Sequence, residues 1–318
     1  MKKKILTLLL AACVGTVLFT ACGNSGTAPS AGTDSSAASA AMEASDELNS
    51  KTEITGDKEI LVVSFGTSYN DTRSQTICAI ENAIADAYPD YSVQRAFTAQ
   101  TIIDKLAKRD GLVIDNVEQA LERAKKAGVK TMIVQPTHLM DGNEYHDLSD
   151  TLDQYAEDFT NLVLGDPLLT TDADYEAVAA AITASTKAKD DGSTAICFMG
   201  HGTDAESNQD YVKLRGVLTD GGFGNYYIGT VEATPTVDDL LAAIDEKGNY
   251  KKVVLQPLMV VAGDHANNDM AGDEEDSWKS IFEKAGYEVE PVLQGLGAYS
   301  EIRDIYLQHV QASVDSIG

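Results

Sequence analysis

Glu59-Ile60-Leu61-Val62-Val63-Ser64-Phe65-Gly66-Thr67-Ser68 opens on a continuous apolar run rich in β-branched residues and ends in a short glycine-containing loop. A run that is apolar at every position, and does not alternate, reads as a strand buried on both faces. Asn70 or Asp71 can then cap a helix carrying Ile77, Ile80, Ile84 and Ala87 at three/four spacing, which completes a β-loop-α unit. Outward from this unit the scheme repeats. Val117, Leu121 and Ala124 lie on a second helix closed by Gly128, Thr131 to Val134 forms a buried strand, and a third unit runs through Leu162 to Leu164. From Ala195 it restarts, with strands at Ala195 to Met199, Tyr226 to Val231 and Lys252 to Val261. A helix from Thr236 carries Leu240, Leu241 and Ile244, and a terminal helix spans Glu301 to Ser316. Apolar strands alternating with amphipathic helices predict an α/β protein whose parallel sheets are covered on both faces.

The two halves resemble each other. Val134-Gln135-Pro136 and Leu255-Gln256-Pro257 each close a strand, with Gly142 and Gly263 seven residues past each Gln, and Ser64-Phe65-Gly66-Thr67 matches Gly200-His201-Gly202-Thr203. The expectation is two similar doubly wound parallel-sheet domains, 58–190 and 191–318, with a cleft between them. Where the second half has His201 and His265, the first has Phe65 and Glu144. Imidazole chemistry is therefore confined to the second half.

The chain has 318 residues, 24 Lys plus Arg against 50 Asp plus Glu, and a formal charge of −26. That field repels nucleic acid and attracts cations. No P-loop, no well-placed G-x-G-x-x-G and no G-x-S-x-G elbow occurs, which argues against a nucleotide cofactor and serine hydrolysis. Lys2, Lys3 and Lys4 precede an apolar stretch from Ile5 to Phe19, the pattern of a signal peptide over 1–21. Leu18-Phe19-Thr20-Ala21-Cys22-Gly23 resembles a lipoprotein cleavage box, with Cys22 as the lipidated residue. Residues 22–57, rich in Ser, Ala, Gly and Thr, read as a flexible tether. The expected location is outside the cytoplasm, lipid-anchored on the outer face of the bacterial cytoplasmic membrane or in the periplasm, with the anchor as the sole membrane contact. Cys78 and Cys197 lie on apolar patterns and read as core residues.

Three polar side chains fall just past predicted strand ends: His201, Glu232 and His265. Open α/β sheets bind ligands at that edge. Two imidazoles and a carboxylate suit Co²⁺, Fe²⁺, Ni²⁺ or Zn²⁺ and leave coordination positions open. A hydrogen-bonded structural role is commoner for a single loop histidine, but the flanking Gly200, Gly202 and Gly263 allow a close approach. His138 reads as packed under the sheet edge, His146 as facing solvent or a cleft, and His309 as part of the terminal helix. The acidic run Asp273-Glu274-Glu275-Asp276 reads as a solvated helix start, or alternatively as a way station for metal.

At these residues the chain resembles a known family. Leu61-Val62-Val63-Ser64-Phe65-Gly66-Thr67-Ser68, Phe198-Met199-Gly200-His201-Gly202 and the stretch from Pro257 through Ala262-Gly263-Asp264-His265 to Met270 are similar to the anaerobic cobalt chelatases of the CbiK type. The resemblance covers residues 58–315. It implies a chelatase-like fold, insertion of Co²⁺ (with Fe²⁺ as another candidate) into sirohydrochlorin as in anaerobic cobalamin biosynthesis, and His201, Glu232 and His265 as metal ligands. His201 is also the proton acceptor by this resemblance. Ser64, Thr67 and Ser68 are candidate donors to the tetrapyrrole carboxylates, and oligomeric state is left open. The other reading is a surface lipoprotein that binds metal or tetrapyrrole for uptake or storage without turnover.

Overall fold

The computed structural model describes residues 47–317. It contains two four-stranded parallel sheets. One is built from β1 (Lys58–Ser64), β2 (Ser92–Phe97), β3 (Thr131–Pro136) and β4 (Asn161–Leu164) in the order β2-β1-β3-β4. The other is built from β5 (Thr194–Gly200), β6 (Tyr226–Thr230), β7 (Lys252–Pro257) and β8 (Glu288–Pro291) in the order β6-β5-β7-β8. The duplication is visible in the register, where Gln135 lies opposite Val62 and Gln256 opposite Phe198. The helices are α1 (Asn70–Gln75), α2 (Ile77–Ala87), α3 (Gln100–Asp110), α4 (Val117–Ala127), α5 (Asn143–Asp153), α6 (Asp172–Thr186), α7 (Gln209–Asp220), α8 (Val237–Lys247), α9 (Trp278–Lys284) and α10 (Ser300–Ile317).

Alternation along the central strands explains the double winding. On β1, Ile60 and Val62 share a core with Ile80 and Ile84 of α2, while Leu61 and Val63 join Leu121 and Ala124 of α4 and Leu148 and Leu152 of α5. On β5, Ile196 and Phe198 join Leu214 and Leu218 of α7, while Ala195, Cys197 and Met199 join Leu240 and Ile244 of α8 and Trp278 and Phe282 of α9. Ile60 and Ile196 belong to one continuous core, so the sheets share a middle helical layer. Two helices cross over within it. Although α6 precedes residue 190, it packs on α7, and its Thr186 hydroxyl pairs with Tyr226 Oη of β6 at 2.8 Å. The C-terminal α10 returns to the first sheet, where Tyr306 Oη donates to the Thr137 carbonyl at 3.0 Å. The 190/191 division thus separates the sheets but not the helices.

Several sequence expectations need correction. Helix initiation is not by Asn70 or Asp71: Tyr69 occupies the cap position without a side-chain bond, and Thr76 breaks the expected helix into α1 and α2. The strand expected to run to Val261 stops at Pro257. Residues 258–261 are apolar because their side chains pack into the surrounding cores, Leu258 and Val260 with Leu296, Met259 with the α8/α9 core and Val261 with Ile77 and Phe97. Their backbone is held by Leu296 and Gly297 N–H donating to the Met259 and Val260 carbonyls. The acidic run 273–276 lies in an exposed turn ahead of α9, whose cap is the buried Ser277. Of the residues 22–57 read as a tether, 47–57 are folded. Glu47 is buried, Ser50 N–H bonds the Val113 carbonyl at 2.9 Å, and the Gln94 amide bonds the Glu53 carbonyl at 3.0 Å. Residues 47–57 therefore belong to the folded body, while the signal peptide 1–21 and Cys22 lie outside the described residues. Cys78 and Cys197 are buried and free. Among the described residues no helix is long and apolar enough to cross a membrane.

Glu59 on β1 is fully buried, and neither carboxylate oxygen has a hydrogen-bond partner. Burial pushes its carboxyl up to about 8, against the pull of Arg123. A folded value above the unfolded one means that stability falls as pH rises from the ordinary carboxylate range toward 8. Glu59→Gln is expected to raise the melting temperature at pH 8, by the equivalent of about 3 kcal/mol, and to lose that advantage toward pH 5. Thermal melts at the two pH values check this, and a pH-independent difference would show that the carboxyl does not titrate in this interval.

Candidate metal centre

The loops at the C-terminal ends of β5, β6 and β7 place His201, Glu232 and His265 together, with one donor atom of each within 4.8 Å of the others. Local geometry fixes each side chain. His201 directly follows β5 and precedes Gly202, whose φ of +89° is left-handed and whose Cβ, if present, would lie 2.8 Å from the Ala233 nitrogen. Only glycine fits there, and the tight bend turns the imidazole outward. Glu232 is tied to the same bend, its N–H donating to the His201 carbonyl at 2.9 Å. His265 begins a π-helical turn, Ala266–Met270.

Both rings are oriented through Nδ1. His201 Nδ1 is 2.8 Å from the Gly202 carbonyl, which can only accept, so Nδ1 carries the proton. His265 Nδ1 is 2.7 Å from Asp269 Oδ2. Nε2 of each ring is thereby left as the lone-pair donor, the arrangement usual for metal-ligating histidines. The rings meet edge to face with centroids 4.8 Å apart, and His201 Nε2 lies 3.8 Å from Glu232 Oε1. Two donors on one ion at about 2.1 Å can be at most about 4.2 Å apart, so the trio is slightly more open than a closed coordination sphere. The His201 and Glu232 side chains are also 49% and 57% exposed, so incoming ligands can reach an ion held there. Asp269 was missed in the sequence, although its i,i+4 spacing from His265 would put both on one helical face.

The opposite edge comes from the first sheet. Thr98 and Ala99 N–H donate to the Ser64 and Phe65 carbonyls, just as Val231 and Glu232 N–H donate to those of Gly200 and His201. Phe65 thus occupies the position of His201, and Ala99 that of Glu232. The two edges meet at two junctions. At one, Tyr69 Oη donates to Asp264 Oδ1 at 3.2 Å and Ala262 N–H to Thr72 Oγ1 at 3.0 Å; at the other, Asn143 donates to Asp204 at 3.1 Å. Glu144, beside this second junction, is raised by partial burial and opposed by the nearby His201. The buried His138 has no hydrogen-bond partner on either ring nitrogen, and burial depresses it to about 4, so it is neutral beside Glu144.

The other sequence candidates are not part of the donor trio. Ser64, Thr67 and Ser68 are all buried. The Ser64 hydroxyl accepts from Thr137 at 2.8 Å, and Thr67 Oγ1 accepts from Tyr69 N–H at 3.2 Å, so these groups serve the loop's own structure. His146 is exposed and pairs with Asp141 at 2.8 Å. His309 links α10 to the Asp166 carbonyl and to Asp174 of α6, each at 3.2 Å.

A parallel α/β fold with an open nitrogen and oxygen donor set at one sheet edge fits a metal-handling enzyme. The chain belongs to the cobalt chelatase (CbiK) family, whose pattern it matches over residues 58–315. It is 38% identical over 258 residues to the sirohydrochlorin cobaltochelatase of Salmonella typhimurium, covering 81% of this chain and 97% of that one. It is 33% identical over 262 residues to the sirohydrochlorin cobaltochelatase CbiKC of Nitratidesulfovibrio vulgaris, covering 82% and 92%. Among solved structures, SirB from Bacillus subtilis with Fe³⁺ has the same fold, with a TM-score of 0.60 at 15% identity over 83% of this chain and 98% of that one.

Proposed function

We propose that the protein is a sirohydrochlorin cobaltochelatase, with His201, Glu232 and His265 presenting Co²⁺ to the macrocycle. The observation that carries this reading is the solvent-open trio in a chain of the cobalt chelatase family. Insertion forms bonds from the metal to the pyrrole nitrogens and breaks two N–H bonds, releasing two protons. A protein donor set that is open and incomplete can give up its ion, whereas a closed tetrahedral site would retain it. As Co²⁺ leaves, Nε2 of His201 regains its lone pair and accepts one pyrrole proton; the second passes to solvent. Anaerobic mixing of purified protein, sirohydrochlorin and Co²⁺ tests the reading through the absorbance change on metallation. Binding of both substrates with no acceleration over the protein-free rate would favour the alternative of carriage without turnover, for which the exported lipoprotein leader is the supporting feature.

The same proposal extends to location: export, processing before Cys22 and a lipid anchor, supported by the Lys2–Lys4 cluster, the apolar stretch to Phe19 and the small residues before Cys22. Several acyl chains hold a protein firmly where one does not. Cys22→Ala is expected to shift the mature protein from the membrane to the soluble fraction, and membrane retention of a processed Cys22→Ala chain would refute the anchor.

A further inference from the structure

The first-sheet edge carries an apolar side chain where the second carries its imidazole. Phe65 follows the last residue of β1, as His201 follows the last of β5, and both precede a glycine in the left-handed region: Gly66 at φ +98° and Gly202 at +89°. A Cβ on Gly66 would stand 2.5 Å from the Phe97 ring, so the bend that raises Phe65 is enforced by packing beneath it. While its neighbours Ser64, Thr67 and Ser68 are buried, Phe65 is 51% exposed. Phenylalanine gains nothing from water, and this exposed ring is held up by a buried, well-packed loop.

The ring stands on the same opening as the donor trio. A Cβ on Gly263 would be 3.6 Å from Thr67 Oγ1, so the Phe65 loop abuts the loop that carries His265. Phe65, Glu144, His201 and Glu232, on the loops that meet at this edge, are each about half exposed. One wall therefore offers metal donors and the other a flat apolar face.

We infer that Phe65 is a stacking contact for the planar tetrapyrrole, holding one face of the macrocycle while the metal is delivered to it from His201, Glu232 and His265. This rests on the functional reading above and assigns its substrate-binding wall. A π-face suits a conjugated macrocycle and is indifferent to its peripheral carboxylates, which the chain's negative charge repels. Phe65 makes no bond to the metal, so its removal separates tetrapyrrole binding from metal binding.

The test measures two affinities in the full chain: metal-free sirohydrochlorin, through its own fluorescence, and Co²⁺ alone, by calorimetry. Phe65→Ala is expected to weaken sirohydrochlorin about 10-fold with Co²⁺ affinity and melting temperature unchanged. Phe65→Trp is expected to restore tight binding, and Phe65→Leu to restore it only in part, because area alone lacks the aromatic contribution. Unchanged sirohydrochlorin affinity in Phe65→Ala overturns the inference, as does a parallel loss of both affinities, which would mark a collapsed loop. If the unaltered protein binds no sirohydrochlorin, the functional reading fails, and this inference fails with it.

Discussion

His201→Ala is expected to abolish cobalt insertion, lowering the rate by at least about 10³-fold, in a protein that still folds and still binds sirohydrochlorin. Two losses combine. A positioned proton acceptor is worth roughly 10²- to 10⁴-fold, and removal of a direct ligand weakens metal binding by at least the 10- to 100-fold seen on removing groups behind the ligands. The side chain is 49% exposed and its ring bonds only the neighbouring Gly202 carbonyl, so stability should change little. Glu232→Gln gives the contrast: a negative charge is lost but the imidazole remains, so metal affinity should fall while the rate at saturating Co²⁺ is largely retained. Anaerobic rate measurements across Co²⁺ concentrations separate the two variants. A folded His201→Ala protein with an unchanged rate would refute the assignment.

Arg95→Met is expected to cost about 3–5 kcal/mol of stability, a fall of about 10 °C in Tm for a body of this size. Arg95 is fully buried and bonds Glu81 at 2.7 and 2.6 Å and Glu47 at 2.8 Å, while Glu47 also holds Arg73 at 2.8 and 3.0 Å. Two cations and two carboxylates balance; methionine fills the space but strands Glu81 without its partner. Burial already raises the Glu81 carboxyl, and the arginines hold Glu47 low against its own burial. The Glu47 contribution is present above the ordinary carboxylate range and lost as pH falls below it. The penalty should accordingly shrink in acid, where the stranded groups protonate. A chain begun at Lys58 lacks Glu47 and should be similarly weakened, whereas one begun at Ala40 should not. A loss below 1 kcal/mol in denaturant melts of Arg95→Met would show that the network is dispensable.

The same network explains what escaped the sequence reading. Strand β2, Ser92-Val93-Gln94-Arg95-Ala96-Phe97, lacks an apolar run because its buried positions include a paired arginine and an amide. Pairing with Glu47, 48 residues earlier, is a long-range fact that local hydropathy does not register. Residues 47–57 read as tether for the same reason: the segment is tied down by the buried Glu47, a few backbone bonds and only two isolated apolar side chains, Leu48 and Ile54, which make no local hydrophobic pattern. By contrast, β1, β3, β5 and β7 were readable because strands covered on both faces must be apolar throughout.

The sequence by itself determined the alternating α/β scheme, the internal duplication and the three donor side chains, because periodicity, repeated strand ends and residue type are local properties of the chain. Only the tertiary structure decided that α6 and α10 share one layer between the sheets, that Ser64, Thr67 and Ser68 are buried, and that Phe65 faces out. It alone showed both imidazoles held through Nδ1, by the Gly202 carbonyl and Asp269, leaving Nε2 of each as the free donor. Helix exchange and burial depend on contacts between distant segments, such as Tyr306 with Thr137, 169 residues apart, whereas each ring is held by a partner within four residues of it. Side-chain pattern specifies which face of an element is apolar, but only packing chooses the partner that covers it.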